Sequence, residues 1–236
     1  MRLQTVAAIG AVGAASVWSA PAPAPVVPAV ARALGIPRRL ASPGGVALTF
    51  DDGPHAHGTP AVLEALRRAE ATATFFLVGE QVERYPTLAA EIVAAGHEVG
   101  LHGHGHTLHL RRTPRVLRED LDRAIATIED AIQSATACYR PPYGVFSRAS
   151  LDLVRRSGRR PLLWSRWGRD WRRAATPETI AVEATVGLGP GDVVLLHDAD
   201  HYSSPGSWRK TVAALPAIVE RAAALGEPLV SVTQST

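Results

Sequence analysis

The chain has 236 residues, of which 46% are hydrophobic and 20% are charged, and its formal net charge at pH 7 is +3. This composition is typical of a globular domain, and no dense block of basic residues indicates a nucleic-acid partner, since Lys210 is the only lysine. The single cysteine, Cys138, excludes an internal disulfide and a thiolate metal cluster, so a metal site would have to use histidines and carboxylates.

The first 43 residues differ in composition from the rest of the chain. Arg2 precedes an apolar run of small residues, which predicts a secretory signal over residues 1–20. A Pro/Ala-rich stretch over residues 21–43 is predicted to be a linker, because prolines stiffen a chain and interrupt helices. An uncleaved membrane anchor is the alternative, although the apolar run is short for a membrane span. Either way, we expect a secreted protein or one held at the outer cell surface, with its main domain over residues 44–236.

Strand-like and helix-like segments alternate from Gly45 onward. Apolar runs predict strands over residues 46–50, 72–79, 97–102, 137–142, 159–165, 191–198 and 227–232. Helical patterns lie between them, over residues 59–71, 85–96, 113–132, 147–158, 176–187 and 207–226. This alternation predicts an α/β fold with parallel strands and outer helices. About seven such units favour a closed or nearly closed (β/α) barrel over an open sheet.

Chemically active residues recur directly after the predicted strands. The segments are DDGPH (51–55), HGHGHTLH (102–109), RPPYG (140–144), RWGRDW (166–171) and HDADH (197–201). Each one alone is commonly a turn or a surface loop. Because the carboxyl ends of parallel strands carry the chemistry of α/β barrels, five such segments on one rim predict an active site.

These segments resemble, in order, the five motifs of polysaccharide deacetylases, the NodB-like carbohydrate esterase family 4. The matching residues are TFDDGP (Thr49–Pro54), the pair His102 and His106, RPPYG (Arg140–Gly144), Asp170 with Trp171, and LLH (Leu195–His197). The resemblance extends from Gly45 to the carboxyl terminus. It implies a deformed (β/α) barrel that uses a divalent metal to remove acetyl groups from N-acetylated or O-acetylated sugars, so the expected partner is an acetylated polysaccharide and no protein partner is implied.

The resemblance also implies a metal site and a pair of proton-transfer groups. Asp52, His102 and His106 would hold the metal, for which zinc is expected first and cobalt or another divalent ion is the alternative. Asp51 would be the general base and His197 the general acid.

The remaining site residues would support these groups. Arg140 would pair with Asp51, and Asp170 would orient His197. The backbone N–H of Tyr143 would help to stabilise the oxyanion. Trp171 and Leu195 would form the walls of a pocket for the acetyl methyl group, or serve simply as core residues.

Two departures from the family pattern fall in the second motif. Gly103 stands where such enzymes usually have Ser or Thr, and Thr107 stands where proline is frequent, which weakens the expected hydrogen-bond support of the loop. The extra histidine His104 adds an ambiguity. In an extended strand it would share a face with His102 and His106, whereas in a helical turn only those two would meet. The resemblance favours the helical geometry.

Two other functions and one loop assignment stay open. A hydrolase of the same fold could act on a small non-sugar amide, and a non-catalytic relative could bind glycans. A binding module would have no need of Asp51, Arg140 and His197 together. The polar residues after the last motif, Asp198 and Asp200 among them, are expected to lie in a surface loop.

Overall fold

The protein was analysed as a computed structural model that describes residues 16–42 and 44–233. The seven strands are β1 (Ala47–Asp51), β2 (Thr74–Leu77), β3 (Glu98–Leu101), β4 (Cys138–Tyr139), β5 (Arg160–Pro161), β6 (Arg166–Trp167) and β7 (Val193–His197). The helices are α1 (Pro28–Ala33), α2 (Gly58–Arg68), α3 (Gly79–Arg84), α4 (Pro86–Ala94), α5 (Pro114–Ile132), α6 (Arg148–Arg156), α7 (Pro177–Thr185) and α8 (Ser207–Ala224). Two short 3₁₀ turns cover His109–Arg111 and Pro142–Gly144.

The strands form one parallel sheet in the order β5-β4-β3-β2-β1-β7-β6. Strand β1 lies inside the sheet between β2 and β7, with Asp51 in register with Phe76 of β2 and His197 of β7. The sheet curls into a half-barrel surrounded by the helices, which confirms the predicted deformed (β/α) barrel with parallel strands. All carboxyl ends therefore lie at one rim, where the predicted site residues are found.

Burial explains why the central strands could be identified from their apolar runs. Every residue of β1 and β2 is buried, as expected for strands that are covered on both faces. The helix signals were also informative. Thr113 caps α5 by accepting a hydrogen bond from the N–H of Val116, and Gly96 adopts the left-handed conformation just after α4.

Three elements differ from the sequence-based prediction. The strand expected over residues 159–165 is reduced to β5 at Arg160–Pro161, and β6 begins only at Arg166, where it pairs with β7. The strand expected over residues 227–232 is reduced to a single bridge between Val46 and Leu229. Helix α2 begins at Gly58, one residue before the predicted start, and the hydroxyl of Thr59 donates to Asp198.

The amino-terminal segment, residues 16–42, packs along the domain and is called the strap below. Its residues 36–40 run beside the stretch that joins β5 to β6. The N–H of Leu163 donates to the carbonyl of Pro37 at 2.9 Å, and Arg38 Nε donates to the carbonyl of Trp164 at 2.8 Å. Within the described chain no pairing joins β5 directly to β6, so the strap lies where the barrel is not closed by strands.

The strap also contacts the loops near the strand ends. Trp18 Nε1 donates to the carbonyl of Leu110 at 3.2 Å, and Pro25 lies against Gly144. In the structure, the predicted linker is thus not separated from the domain that follows. Most of the predicted signal segment lies outside the described residues, and the boundary at residue 20 stays a prediction. Across residues 16–42 and 44–233, no helix combines the length and the apolar character that a membrane span requires.

Candidate active site

The two adjacent aspartates reach the same cavity because the chain turns sharply between them. Asp51 is the last residue of β1, and Asp52 has a left-handed φ of 79°. Aspartate tolerates this conformation better than most residues. The chain therefore turns at Asp52, directly before Gly53. Gly53 has a different role, because a Cβ at that position would collide with the carboxylate of Asp198.

Asp51 is fixed by a buried arginine. Arg140 Nη1 donates to Asp51 Oδ1 at 2.7 Å and to Thr49 Oγ1 at 2.8 Å, and the guanidinium is fully buried. Arg140 Nη2 donates to the carbonyl of Leu163 at 3.1 Å, and the guanidinium lies 4.0 Å above the ring of Phe76. These contacts leave Oδ2 of Asp51 unengaged by the arginine, with Nε2 of His102 at 3.9 Å. One carboxylate oxygen is anchored and the other faces the cavity.

The carboxylate of Asp52 lies close to two imidazoles, those of His102 and His106. Asp52 Oδ1 lies 3.5 Å from Nε2 of His102 and 3.3 Å from Nε2 of His106, and all three donor atoms lie within 4.8 Å of one another. Burial acts to raise the pKa of Asp52, but the two imidazoles and the nearby charge of His197 outweigh it and hold that pKa well below its usual range. Asp52 is thus a carboxylate at neutral pH.

The histidine loop is neither the extended strand nor the helical turn considered above. Its first residue, His102, follows β3, and Gly103 has a left-handed φ of 84° that redirects the chain. His104 turns away from the cluster, with Nε2 at 3.2 Å from Glu83 Oε1. The carboxylate of Asp120 on α5 accepts the backbone N–H groups of His104 and Gly105 at 3.0 and 2.9 Å. This support from Asp120 was not foreseen from the sequence.

His197 lies across the cavity and is held by a carboxylate. Its Nδ1 donates to Asp170 Oδ1 at 2.8 Å, and its backbone N–H donates to Asp170 Oδ2 at 2.7 Å. The hydroxyl of Thr211 donates to the same Oδ2 at 2.7 Å. Burial acts to lower the pKa of His197, but the charge and hydrogen bond of Asp170 raise it to about 10. The imidazolium form is therefore favoured, and Nε2, 4.0 Å from Asp52 Oδ2, faces the cavity.

These groups line a cavity of about 280 Å³ with an aromatic wall. Both predicted wall residues, Trp171 and Leu195, line it, and the ring of Trp171 lies edge-on to His197 at 5.5 Å. Tyr143 is at the mouth with 57% of its surface exposed. Trp164 and Trp167, which were not among the predicted site residues, also line the cavity.

The loop after β7 was partly misassigned. Asp198 was expected at the surface but is fully buried, where it accepts a hydrogen bond from Thr59, and its Oδ1 has no partner among the described residues. Burial, reinforced by the charge of Asp52, raises the pKa of Asp198 to about 7. Tyr202, which the sequence did not single out, lines the cavity and stacks on His106. A tyrosine five residues beyond His197 carries no periodic signal that could have revealed this contact.

The donor cluster fits a divalent metal by three observations. Asp52 Oδ1 is buried with no hydrogen-bond partner among the residues described, as expected of an oxygen that is available to coordinate a metal ion. Two ligands of one tetrahedral zinc ion lie about 3.3–3.4 Å apart when each is about 2.0–2.1 Å from the metal. The separations at Asp52, 3.3 and 3.5 Å, are close to this value. Two imidazoles and one carboxylate also leave coordination positions open, as in catalytic sites.

Known proteins are similar to this chain in sequence. The sequence model of the family described as polysaccharide deacetylase matches residues 40–162. A chitooligosaccharide deacetylase of Azorhizobium caulinodans is 34% identical over 197 residues, which cover 76% of this chain and 88% of that protein. A peptidoglycan-N-acetylglucosamine deacetylase of Bacillus cereus is 34% identical over 191 residues, covering 80% and 86% of the two chains.

A solved structure shows the likeness in three dimensions. The family 4 carbohydrate esterase of Streptomyces lividans, determined in complex with acetate, superposes with a TM-score of 0.71 at 29% identity. The alignment covers 80% of this chain and 93% of the esterase. The family model matches more than half of the chain, and both deacetylases are 34% identical over most of it, so the chain belongs to the polysaccharide deacetylase family.

Proposed function

We propose that the protein is a metal-dependent deacetylase of an N-acetylated polysaccharide outside the cytoplasm, with O-acetyl groups as a further possible substrate. The observation that carries this proposal is the convergence of three units on one cavity. These are the donor cluster Asp52–His102–His106, the Asp51–Arg140 ion pair and the His197–Asp170 pair. The named relatives act, by their names, on chitooligosaccharide and on peptidoglycan N-acetylglucosamine, which supports a substrate containing N-acetylglucosamine.

Asp52, His102 and His106 would hold the metal. A divalent ion bound there supplies Lewis acidity, polarising an acyl oxygen and making water more acidic. Zinc suits this set of nitrogen and oxygen ligands, and cobalt or another divalent ion can replace it, because such sites accept several metals.

Asp51 acts as the general base in this proposal. Because Arg140 anchors Oδ1 at 2.7 Å, Oδ2 is free to take the proton of the attacking water. The backbone N–H of Tyr143 helps to stabilise the negative charge that develops on the acyl oxygen. Tyr143 lies on the 3₁₀ turn Pro142–Gly144 with a φ of 59° and lines the mouth of the cavity, which supports this role.

His197 acts as the general acid. Its Nδ1 is committed to Asp170, so the proton that leaves comes from Nε2, which faces the cavity. It protonates the sugar amine as the C–N bond breaks. Trp171 and Leu195 then bound the space for the acetyl methyl group, which is apolar and needs no hydrogen bond.

The test is acetate release from N-acetylated chitooligosaccharides, peptidoglycan and acetylated xylan, with and without a chelator. We expect activity on at least one glycan, loss of activity in chelator, and recovery with zinc or cobalt. The Asp51→Asn protein, purified in parallel, controls for contaminating enzymes. Full activity in a metal-free preparation would contradict the mechanism. Release from a small acetamide alone would instead favour the non-sugar amide hydrolase.

The export prediction needs a separate experiment. Residues 1–40 fused to a reporter should carry it out of the cytoplasm. A reporter that stays soluble in the cytoplasm would remove the secreted location from the proposal and leave its chemistry untouched.

A further inference from the structure

The two metal-site histidines are held in different ways. His102 Nδ1 donates to the backbone carbonyl of Arg140 at 2.9 Å, which fixes its ring and leaves Nε2 free to act as a ligand. His106 Nδ1 is buried and has no hydrogen-bond partner within the described chain. Metal-binding histidines usually gain their orientation from a hydrogen bond at the second ring nitrogen. The orientation of His106 must therefore come from another contact.

That contact is a pair of tyrosine rings. The ring of Tyr202 lies parallel to His106, with 4.0 Å between centroids and 7° between planes. The ring of Tyr143 meets His106 edge-on at 4.5 Å and 65°. Stacked and edge-to-face arrangements are both favourable for aromatic rings. Tyr143 is the more exposed of the two, whereas Tyr202 covers the full face of the imidazole.

Tyr202 is itself anchored, so it can transmit rigidity to the imidazole. Its hydroxyl donates to Glu80 Oε1 and accepts from Gln81 Nε2 at 2.9 Å. Both partners lie on α3, which also holds the histidine loop. The N–H groups of Gly79 and Glu80 donate to the carbonyls of Gly103 and His104 at 3.0 and 2.9 Å. One short helix thus fixes the loop that carries His106 and the ring that stacks on it.

We propose that Tyr202 is a positioning residue that aligns His106 as a metal ligand by ring stacking, in place of the hydrogen bond that His102 receives. This inference rests on the proposed metal site. The histidine loop itself cannot supply this support, because neither Gly103 nor Gly105 has a side chain that could contact the imidazole. It assigns to the loop between β7 and α8 a part in the metal site that is separate from the general acid His197.

Three substitutions separate stacking from space filling. Tyr202→Phe keeps the ring and loses the bonds to α3, whereas Tyr202→Leu loses the ring and keeps much of the volume. Tyr85→Leu is the matched control, since Tyr85 ends α3 and does not line the cavity. Each metal-free protein is checked for folding by circular dichroism and thermal unfolding, and is then titrated with Co²⁺ while its visible spectrum is recorded.

We expect Tyr202→Leu to bind Co²⁺ about 10–100-fold more weakly, the range typical of changes behind a metal ligand, and to show an altered cobalt spectrum. Tyr202→Phe should lose less affinity and keep the wild-type spectrum, and Tyr85→Leu should match the wild type. Wild-type affinity and spectrum in a folded Tyr202→Leu would overturn the inference. A Tyr202→Leu protein that does not fold would also overturn it, because the residue would then serve the fold.

The same titration separates this inference from the function on which it depends. Failure of the wild-type protein to bind Co²⁺ or Zn²⁺ would contradict the proposed metal site itself. Normal cobalt binding by the wild type and by Tyr202→Leu, with only KM for the glycan raised, would show that Tyr202 contacts the substrate without positioning His106.

Discussion

Two regions of the cavity combine the same residue types in different geometries. In the Asp52–His102–His106 cluster, nitrogen and oxygen atoms lie 3.3 and 3.5 Å apart, and the carboxylate oxygen Oδ1 has no hydrogen-bond partner among the described residues. In the pair His197–Asp170, the corresponding atoms are 2.8 Å apart and hydrogen-bonded. The first spacing suits ligands that surround an ion, and the second suits proton storage. Distance and hydrogen bonding, more than residue type, decide which role a histidine takes.

The sharpest test of this comparison is the neighbouring carboxylate, Asp51. Asp51→Asn should lower the acetate release rate by about 10²–10⁴-fold, the usual contribution of a general base. Its metal affinity should change little, because Asp51 is not one of the three donors. Asparagine keeps an oxygen for Arg140, so the protein should fold. Kinetics with saturating metal and a metal titration of the same sample provide the two measurements.

Substitutions in the Asp52–His102–His106 cluster should instead lower metal affinity, with activity falling as a consequence. Asp52→Asn and His102→Ala each remove a ligand, so metal affinity should fall by more than the roughly 100-fold upper range of indirect effects. Activity should follow the metal and recover in part at high metal concentration. Equal metal loss in Asp51→Asn and Asp52→Asn would show that the roles of the two aspartates are assigned wrongly.

The His197–Asp170 pair is tested by the pH dependence of activity and of stability. Asp170, with smaller contributions from the charges of Asp52 and Asp51, raises the pKa of His197 from 6.5 to about 10, so His197 stays protonated through neutral pH. A raised pKa stabilises the fold fully below pH of about 6.5 and loses that contribution as pH approaches 10. In Asp170→Asn, the alkaline limb of kcat should move to lower pH, and the metal-free protein should lose this pH dependence of its melting temperature.

A milder variant controls that experiment. Thr211→Val removes one hydrogen bond to Asp170 but leaves the carboxylate in place. The alkaline limb of the kcat–pH profile should therefore move less in Thr211→Val than in Asp170→Asn. An unchanged pH profile in Asp170→Asn would contradict the assignment of His197 as the general acid.

The smallest effect is expected at the third histidine of the loop. His104→Ala should cost no more than about 10-fold in metal affinity, because its imidazole faces Glu83 and not Asp52. The titration used for His102→Ala measures it. A loss as large as that of His102→Ala would mean that His104 is a ligand and that the cluster must be redrawn.

The parts of the molecule that could be predicted are those with a local signal. The apolar runs identified β1 and β2 because both are buried throughout. The family resemblance singled out His102 and His106, which the structure brings together with Asp52 although the loop is not helical. Their proposed roles as ligands await the metal titrations.

The parts that could not be predicted depend on contacts between distant segments. Asp198 is buried because Thr59, 139 residues earlier, supplies its hydrogen bond. Tyr202 meets His106 because α3 holds both the tyrosine hydroxyl and the histidine loop. Neither contact leaves a periodic pattern. The strap was misleading for a related reason, since its prolines and alanines are typical of a linker although Ala31 and Ile36 are buried in the core.

The strap determines where the protein can be shortened. A protein starting at residue 44 would lose the carbonyl of Pro37 that accepts from the N–H of Leu163, and it would lose Arg38, whose Nε donates to the carbonyl of Trp164. The gap between β5 and β6 would then present unpaired backbone groups beside the apolar surface left by Ile36. Exposed sheet edges of this kind pair with other chains, so such a protein should be prone to self-association and poor solubility.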